Sequence, residues 1–176
     1  MPPLDALRVR CKGLNMGFPL ALIAPAAFVI GLASAGGAAA QFYAKDLYVT
    51  DLSRGIEWLR CTVGQRWNPE TERCDGAAVM LSIDAAAEAI AQAEAQLGPG
   101  WRLPSRAELE SLLCLECEGT KIDPVNFPDT PADSFWTANR NWLAPRHVWS
   151  VNFRTGHSYG RFFPYQELAV RLVRDR

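Results

Sequence analysis

The first 44 residues constrain the rest of the chain most, because they contain a long run without any charge. A few basic residues near the start are followed by an uncharged stretch over residues 13–44, whose apolar centre spans residues 18–32. Small residues follow and end in three alanines at 38–40. A basic segment, an apolar segment and an A-x-A site in this order are typical of a secretory signal peptide. We predict a signal peptide over residues 1–40, cleaved after Ala40.

Two alternatives concern this leader. The uncharged run is long enough to span a bilayer, so an uncleaved signal anchor is the rival interpretation, although the Gly- and Ala-rich residues 33–40 favour cleavage. Met16 is a second possible start.

Residues 41–176 have the length of one ordinary domain. We expect the protein to be exported to the periplasm or cell surface, with membrane contact only through an uncleaved leader.

Export changes what the cysteines indicate. Cys11 lies in the leader, and four cysteines remain in residues 41–176. An even number in an oxidising compartment favours disulfides. Four cysteines allow three pairings, and proximity along the chain favours Cys61–Cys74 and Cys114–Cys117.

The C-x-x-C of Cys114 and Cys117 has two other interpretations, a redox pair and half of a metal site. Reactive thiols lie at helix N-termini or beside basic residues, whereas this pair is predicted at a helix end beside Glu116 and Glu118. The chain's two histidines are not spaced as zinc ligands. A structural disulfide is therefore favoured, and we predict no metal and no cofactor.

Charge is distributed unevenly along the chain. Residues 41–133 contain 8 Lys and Arg against 16 Asp and Glu, whereas residues 134–176 contain 7 Arg against 2 acids. The asymmetry is compatible with an anionic partner for the C-terminal part. Scattered, solvated arginines explain it equally well. The mature chain is mildly acidic overall, and no nucleic-acid partner is expected.

Periodicity and turn residues predict the first half of the fold. Strands over residues 46–50 and 56–61 form an early hairpin, followed by a polar loop over residues 63–75 in which Trp67 covers the first disulfide. Residues 82–97 are the clearest helix, since they are rich in Ala, Glu and Gln and are stopped by G-P-G.

The stretch G-W-R-L-P-S-R-A-E-L-E-S-L-L at residues 100–113 predicts a loop that enters a second helix. Ser105 and Glu108 have the spacing of a capping box, and the leucines that follow fall on one helical face. We predict this helix from Ser105 to about residue 114. Trp101 and Leu103 are expected to fill the core between helices and sheet.

The second half is predicted to be mostly strand. A proline-rich, irregular loop over residues 122–131 precedes it. Four strands follow, the last of them near the centre of the core: residues 134–138, 147–153, 157–163 and 168–174. In residues 147–153, Trp149, Val151 and Phe153 are expected on one face. The fold class is therefore α+β.

The order of these motifs resembles the Lcl C-terminal domain family, long described as a domain of unknown function. The resemblance covers nearly all of residues 41–176. It is carried by six segments in order: D-L-S-R-G-I-E-W-L-R-C at 51–61, G-W-R-L-P-S at 100–105, F-P-D-T-P at 127–131, F-W-T at 135–137, V-W-S-V-N-F at 148–153 with Gly156, and V-R-L-V-R at 170–174.

The resemblance implies a C-type-lectin-like α+β fold, with two helices packed on twisted antiparallel sheets and the N- and C-terminal strands paired. It also implies an exported protein of a Gram-negative bacterium. The family is named after a bacterial collagen-like surface adhesin, in which this domain is associated with binding of sulfated glycosaminoglycans.

Enzymatic activity is not expected. The formylglycine-generating, sulfatase-modifying enzymes share the R-L-P-[ST]-x-x-E signature, but they need a cysteine pair near their C-terminal end, and this chain has no cysteine after Cys117. No G-x-S-x-G, H-E-x-x-H or glycine-rich phosphate loop is present. The sugar-binding triplets of calcium-dependent lectins are also missing, although Asp123, Asn126 and Asp129 offer oxygens of the kind that calcium prefers.

The hypothesis that remains is a non-catalytic binding or adhesion domain whose surface lies in the arginine-rich C-terminal loops. Aromatic rings stack on sugars, and guanidinium groups bind sulfate or carboxylate. An acidic glycan is one expected partner, and an envelope protein recognised by a structural or assembly component is the alternative. A core role for Trp136, Trp142 and Trp149 is the competing interpretation of these aromatics. The candidate binding residues are Arg140, Trp142, Arg146, Arg154, His157, Tyr159 and Arg161.

Overall fold

The computed structural model describes residues 41–176, so the predicted signal peptide, its cleavage site and the alternative start at Met16 lie outside the described residues. The described part contains two helices, α1 (Ile83–Leu97) and α2 (Arg106–Glu110). Its strands are β1 (Phe42–Lys45), β2 (Tyr48–Asp51), β3 (Ile56–Leu59), β4 (Arg66–Asn68), β5 (Arg73–Asp75), β6 (Ser134–Arg140), β7 (Val148–Asn152), β8 (His157–Phe162) and β9 (Val173–Asp175). The α+β class predicted from the sequence is confirmed.

A four-stranded antiparallel sheet with the order β1-β2-β3-β9 joins the two ends of the domain. The predicted hairpin is its β2-β3 pair. Val49, Trp58 and Val173 lie opposite one another in the register and are fully buried. The C-terminal strand therefore joins the N-terminal sheet, with β3 rather than β1 as its partner. The finer, C-type-lectin-like assignment stays a prediction.

A second, three-stranded sheet has the order β6-β7-β8 and supplies the other wall of the core. Phe135 on β6 pairs with Val151 on β7, and both are fully buried. The ring of Phe135 also meets that of Phe153 edge to face, with centroids 5.0 Å apart. The predicted strands of this region are all present, with small shifts at their ends.

The segment between Cys61 and Cys74 is more ordered than the predicted polar loop. It contains the two-stranded sheet β4-β5, in which Trp67 pairs directly with Cys74. The disulfide Cys61–Cys74 closes the segment, and the guanidinium of Arg60 lies 4.0 Å from the Trp67 ring centroid. Gly64, Asn68 and Pro69 favour turns, so the sequence pattern did not reveal two strands of only three residues each. The second predicted disulfide, Cys114–Cys117, is also present.

Helix α1 matches its prediction, with the Ser82 side chain accepting a hydrogen bond from the Ala85 amide and Gly98 ending the helix. Its core-facing stripe is only partly covered, since Ala86 alone is fully buried. Within residues 41–176, neither helix is long and apolar enough to cross a bilayer.

Helix α2 begins as predicted but ends after five residues, well before residue 114. The Ser105–Glu108 capping box is formed. The Ser111 hydroxyl donates to the Glu108 carbonyl at 2.6 Å, and this local bond competes with continuation of the helix. The chain then pairs Leu113 with Ile122 in an isolated bridge. The leucine periodicity had predicted the extra turn.

The capping loop before α2 is tied to both ends of the domain. Arg102 donates two hydrogen bonds to Glu108, each 2.9 Å, and a third to Asp175 on β9 at 2.7 Å. The ring of Trp101 is buried against Tyr48 and lies 4.5 Å from the guanidinium of Arg174. The predicted core role of Trp101 is confirmed, and Leu103 packs, partly buried, beside it.

Residues 168–173 run through the core, as predicted, but only β9 is regular strand. The preceding residues bond to different elements in turn. Leu168 bridges Leu81, the Ala169 carbonyl accepts from the Trp136 amide, the Val170 carbonyl accepts from Val63, and the Leu172 carbonyl accepts from Leu59. This segment therefore links both sheets, the disulfide loop and the entry to α1.

Arg171, in the middle of this segment, is fully buried without a carboxylate partner. Its guanidinium donates to the carbonyls of Leu59 and Arg60 and to the hydroxyls of Thr62 and Thr130. Burial lowers the pKa of Arg171 to about 9, which still leaves it charged at neutral pH. Four neutral acceptors thus replace the counter-ion that a buried charge usually requires.

We expect Arg171→Lys to lower the free energy of unfolding by about 3 kcal/mol, because an ammonium group cannot reach all four acceptors and leaves buried polar groups unpaired. Chemical denaturation measures this change. Arg66→Lys, at an exposed position on β4, is the matched control and should change stability by less than about 0.5 kcal/mol. Equal stabilities for the two variants would contradict the structural role of Arg171.

Three carboxylates have pKa values below their ordinary range. Burial alone would raise the pKa of Asp51, but hydrogen bonds from Ser53, Gln41 and Arg54 outweigh it. Burial would likewise raise the pKa of Glu108, but hydrogen bonds from Arg102 and Ser105 lower it. Burial would also raise the pKa of Asp129, but hydrogen bonds from Arg73 and the Cys74 amide outweigh it.

These lowered pKa values predict a fold that weakens in acid. Each carboxylate stabilises the folded state above its unfolded pKa, about 4, and loses that contribution as the pH falls through its lower folded pKa. The free energy of unfolding should therefore be flat between about pH 7 and 5 in this respect and fall below about pH 4. Asp51→Asn should be less stable at neutral pH and show a shallower loss in acid, as followed by thermal melts across the pH range.

Candidate functional site

The sequence-predicted binding residues lie at opposite ends of the β6-β7-β8 sheet. Arg140, Trp142 and Arg146 lie at or in the β6–β7 loop, and Arg161 precedes Phe162, which pairs with Val148 at that end. The other three lie on or beside the β7–β8 turn: Arg154, His157 and Tyr159. The five residues of β7 separate the two ends by roughly 16 Å.

At the β6–β7 end, two of the predicted residues line a groove of about 310 Å³, which we call the tryptophan–arginine groove. These are Arg140 and Trp142. Arg106 of α2 and Trp149 of β7, which the sequence did not single out as binding residues, line the same groove. The remaining lining residues are Ser105, Ala107 and Asn139.

Arg106 is held in place on several sides. Its guanidinium carbon lies 4.4 Å from the Trp149 ring centroid, and its Nε forms an ion pair with Glu110 at 3.0 Å. Its backbone amide donates to the Asn139 side chain at 2.6 Å, which fixes the start of α2 against β6. The guanidinium is still partly exposed. A partly exposed guanidinium whose position is fixed in advance binds an anion at a smaller entropic cost than a mobile one.

Trp149 is positioned by a glycine on the neighbouring strand. The β7-β8 register shifts between Val148 and Ser150, so that Trp149 lies beside Gly160. A Cβ on Gly160 would lie 2.8 Å from Trp149 Cε2 and 2.8 Å from Asn141 Nδ2. Asn141 Nδ2 in turn donates to the Gly160 carbonyl at 2.8 Å. Strict alternation placed Trp149 with Val151 and Phe153, but it is only half-buried and forms the groove wall, whereas they are fully buried.

The three tryptophans whose core role was the competing interpretation have different environments. Trp136 is fully buried, and its indole N–H donates to the Leu81 carbonyl at 2.7 Å. Trp149 is intermediate. Trp142 is 80% exposed, which leaves its ring available to a ligand. Only the first of the three is a core residue.

At the opposite end, the predicted residues are engaged mostly with the turn itself. Arg154 Nε donates to the Ala132 carbonyl at 3.1 Å. The Tyr159 hydroxyl lies 3.3 Å from the Thr155 hydroxyl of the turn. The guanidinium of Arg161, from the β6–β7 end of the same strand, lies 4.9 Å from the Tyr159 ring centroid. None of these four residues lines the tryptophan–arginine groove: Arg154, His157, Tyr159 and Arg161.

The oxygens considered for calcium are used within the protein. Both carboxylate oxygens of Asp129 accept from Arg73, and one also accepts from the Cys74 amide. Asp123 accepts from the Asn126 side chain and the Val125 amide. Within residues 41–176, no group of three His, Cys, Asp or Glu side chains is arranged to hold a metal ion.

Gly160→Ala should disturb the groove through Trp149. The added methyl group forces the indole or Asn141 to move, and overpacking of this kind costs about 1–3 kcal/mol of stability. Denaturation gives the stability, and the near-ultraviolet circular dichroism of the tryptophans reports the displaced ring. An unchanged spectrum with unchanged stability would show that Trp149 does not rest on Gly160.

Comparison with known proteins agrees with the resemblance noted in the sequence. No curated protein and no solved structure gave a significant match to the chain. The family described as Lcl C-terminal domain matches residues 47–174, which is nearly the whole described region. The match covers both helices, both disulfides, the residues that line the groove, and every strand except β1 and the last residue of β9. The chain therefore belongs to the Lcl C-terminal domain family.

Proposed function

We propose that this domain is a non-catalytic binding module that holds an anionic glycan in the tryptophan–arginine groove. The observation that carries the proposal is the fixed guanidinium of Arg106, which lies over Trp149, is ion-paired with Glu110 and lines the same groove as the exposed Arg140 and Trp142. The tryptophan–arginine groove is lined by two indoles and two guanidinium groups. This lining suits a ligand that contains sugar rings and carries negative charge.

The indoles and the arginines have separate tasks in this proposal. The exposed Trp142 indole stacks on the apolar face of a sugar ring, while Trp149 holds the Arg106 guanidinium. Arginine forms paired hydrogen bonds with the oxygens of sulfate or carboxylate groups. Arg140 forms no ion pair with any residue of the described part, so its charge is not neutralised internally.

The wider charge distribution supports an anionic ligand. Residues 134–166 contain four arginines and no Asp or Glu. A positive field over this part of the surface attracts anions and speeds their association at low salt. The association of the family's eponymous adhesin with sulfated glycosaminoglycans points to the same chemistry.

Export is part of the proposal, because a glycan ligand of this kind lies outside the cytoplasm. The predicted leader over residues 1–40 supports it, and the two disulfides are compatible with it. The alternative proposal is an assembly component that recognises an envelope protein. It draws on the same groove, since Trp and Arg are also the residues most enriched at protein-binding hot spots.

Heparin affinity tests the proposal. We expect measurable binding that weakens as salt rises, and a loss of about tenfold in affinity for Arg106→Gln and for Arg140→Gln, because each removes a charge-assisted contact. Arg154→Gln, at the opposite end of the sheet, is the matched control and should bind nearly as well as the unchanged protein. Isothermal titration at two salt concentrations gives the affinities.

Three outcomes would contradict this assignment. Binding that does not depend on salt would show that the groove does not recognise the negative charge of the ligand. An equal loss for Arg106→Gln and Arg154→Gln would indicate diffuse charge rather than a groove. Absence of glycan binding, together with recovery of one envelope protein whose binding requires Arg106, would favour the alternative.

A further inference from the structure

A second surface lies beside the groove but is made of different residues. The rings of Phe163 and Tyr165 are stacked 5.4 Å apart, and Phe163 also contacts the His147 ring at 4.4 Å. Leu143 belongs to the β6–β7 loop that ends at His147. We call Leu143, His147, Phe163 and Tyr165 the aromatic patch. Leu143 is 73% exposed and Tyr165 is 74% exposed.

Backbone bonds hold the two segments of the patch in fixed shapes. In the loop, the Asn141 amide donates to the His147 carbonyl at 2.9 Å, and the His147 amide donates to the Ala144 carbonyl at 2.8 Å. In the turn after β8, the Gln166 amide donates to the Phe163 carbonyl at 2.9 Å, and the Gln166 side chain accepts from the Phe163 amide at 2.7 Å. The ordered backbone of the loop and the turn therefore holds the side chains of the patch in contact with water.

Two unpaired arginines lie beside the patch along the chain, and they outnumber its one neighbouring acid. Arg146 lies in the same loop and Arg161 lies two residues before Phe163; both are exposed and form no ion pair within residues 41–176. The acid is Glu167, which is exposed two residues after Tyr165. Exposed leucine and aromatic side chains next to unpaired arginines are the combination found where proteins touch anionic membranes.

We propose that the aromatic patch is a peripheral contact with an anionic lipid bilayer. Tyr165 and Phe163 lie at the level of the headgroups, where amphipathic rings are favoured. Leu143 enters the boundary with the acyl chains, and Arg146 and Arg161 bind lipid phosphates. This contact is separate from any role of the leader, to which the sequence had confined membrane contact.

A lipid surface fits these residues better than a protein partner does. Leu143 and Tyr165 project with about three quarters of their surface in water, so they reach outward rather than line a hollow. Mobile lipids gather around such side chains without a complementary shape. The patch is also distinct from the glycan groove, since neither Leu143, Phe163 nor Tyr165 lines it. The inference therefore does not rest on the proposed function.

Hydrogen exchange on the full chain tests the contact locally. Vesicles of phosphatidylcholine containing about one third phosphatidylglycerol should slow amide exchange in residues 141–147 and 163–166, whereas vesicles of phosphatidylcholine alone should not. Because the readout is confined to these peptides, attachment of the chain through residues 1–40 does not produce it. Unchanged exchange in both segments with the anionic vesicles would overturn the proposal.

Variants separate the patch from other exposed apolar residues. Leu143→Ser combined with Tyr165→Ser should abolish the slowed exchange and leave heparin affinity within about twofold, whereas Arg106→Gln should weaken heparin binding and keep the slowed exchange. Leu115→Ser combined with Val125→Ser is the control, since these side chains are equally exposed elsewhere. Exchange slowed by a co-purified protein but not by anionic vesicles would identify a protein interface and overturn the lipid assignment.

Discussion

The buried guanidinium of Arg171 is the interaction on which the rest of the fold depends. It bonds to the carbonyl at the end of β3, to the segment entering the first disulfide and to Thr130 of the proline-rich loop. Arg60 repeats the device nearby, donating to the carbonyls of Asn126 and Val125. The two arginines therefore donate hydrogen bonds to backbone carbonyls of irregular loops. In a regular sheet, a neighbouring strand would have supplied those bonds.

The motif at residues 100–113 contains both an arginine that stabilises the fold and an arginine that lines the groove. Arg102 and Arg106 are four residues apart, on either side of the Ser105 cap. The Arg102 side chain donates hydrogen bonds to Glu108 and Asp175, and these bonds stabilise the fold. The Arg106 side chain stacks on Trp149 and faces the groove. A motif whose helix-capping chemistry is fully explained therefore still carries a residue available for binding.

The sequence predicted what local periodicity and capping control. Helix α1, the β2–β3 hairpin and both disulfides follow from alternation, helix-stop residues and proximity of cysteines. The end of α2 did not, because the Ser111 bond and the Leu113–Ile122 bridge compete with leucine spacing. Alternation grouped Trp149 with Val151 and Phe153, but it could not show that Trp149 is only half-buried, because the register shift beside Gly160 depends on a neighbouring strand. Arg106 was missed as a binding residue since its partner Trp149 comes from a distant strand.

Residues 168–175 come late in the domain, yet they bond to strands, loops and the helix entry that come much earlier. Folding of this domain consequently has a high contact order, because its central segment cannot pair until almost the whole chain is available. A growing chain that does not yet contain this segment has no Arg171 to satisfy the carbonyls of Leu59 and Arg60. The architecture therefore delays completion of the fold until residues 168–175 are available to pair with the strands and loops that precede them.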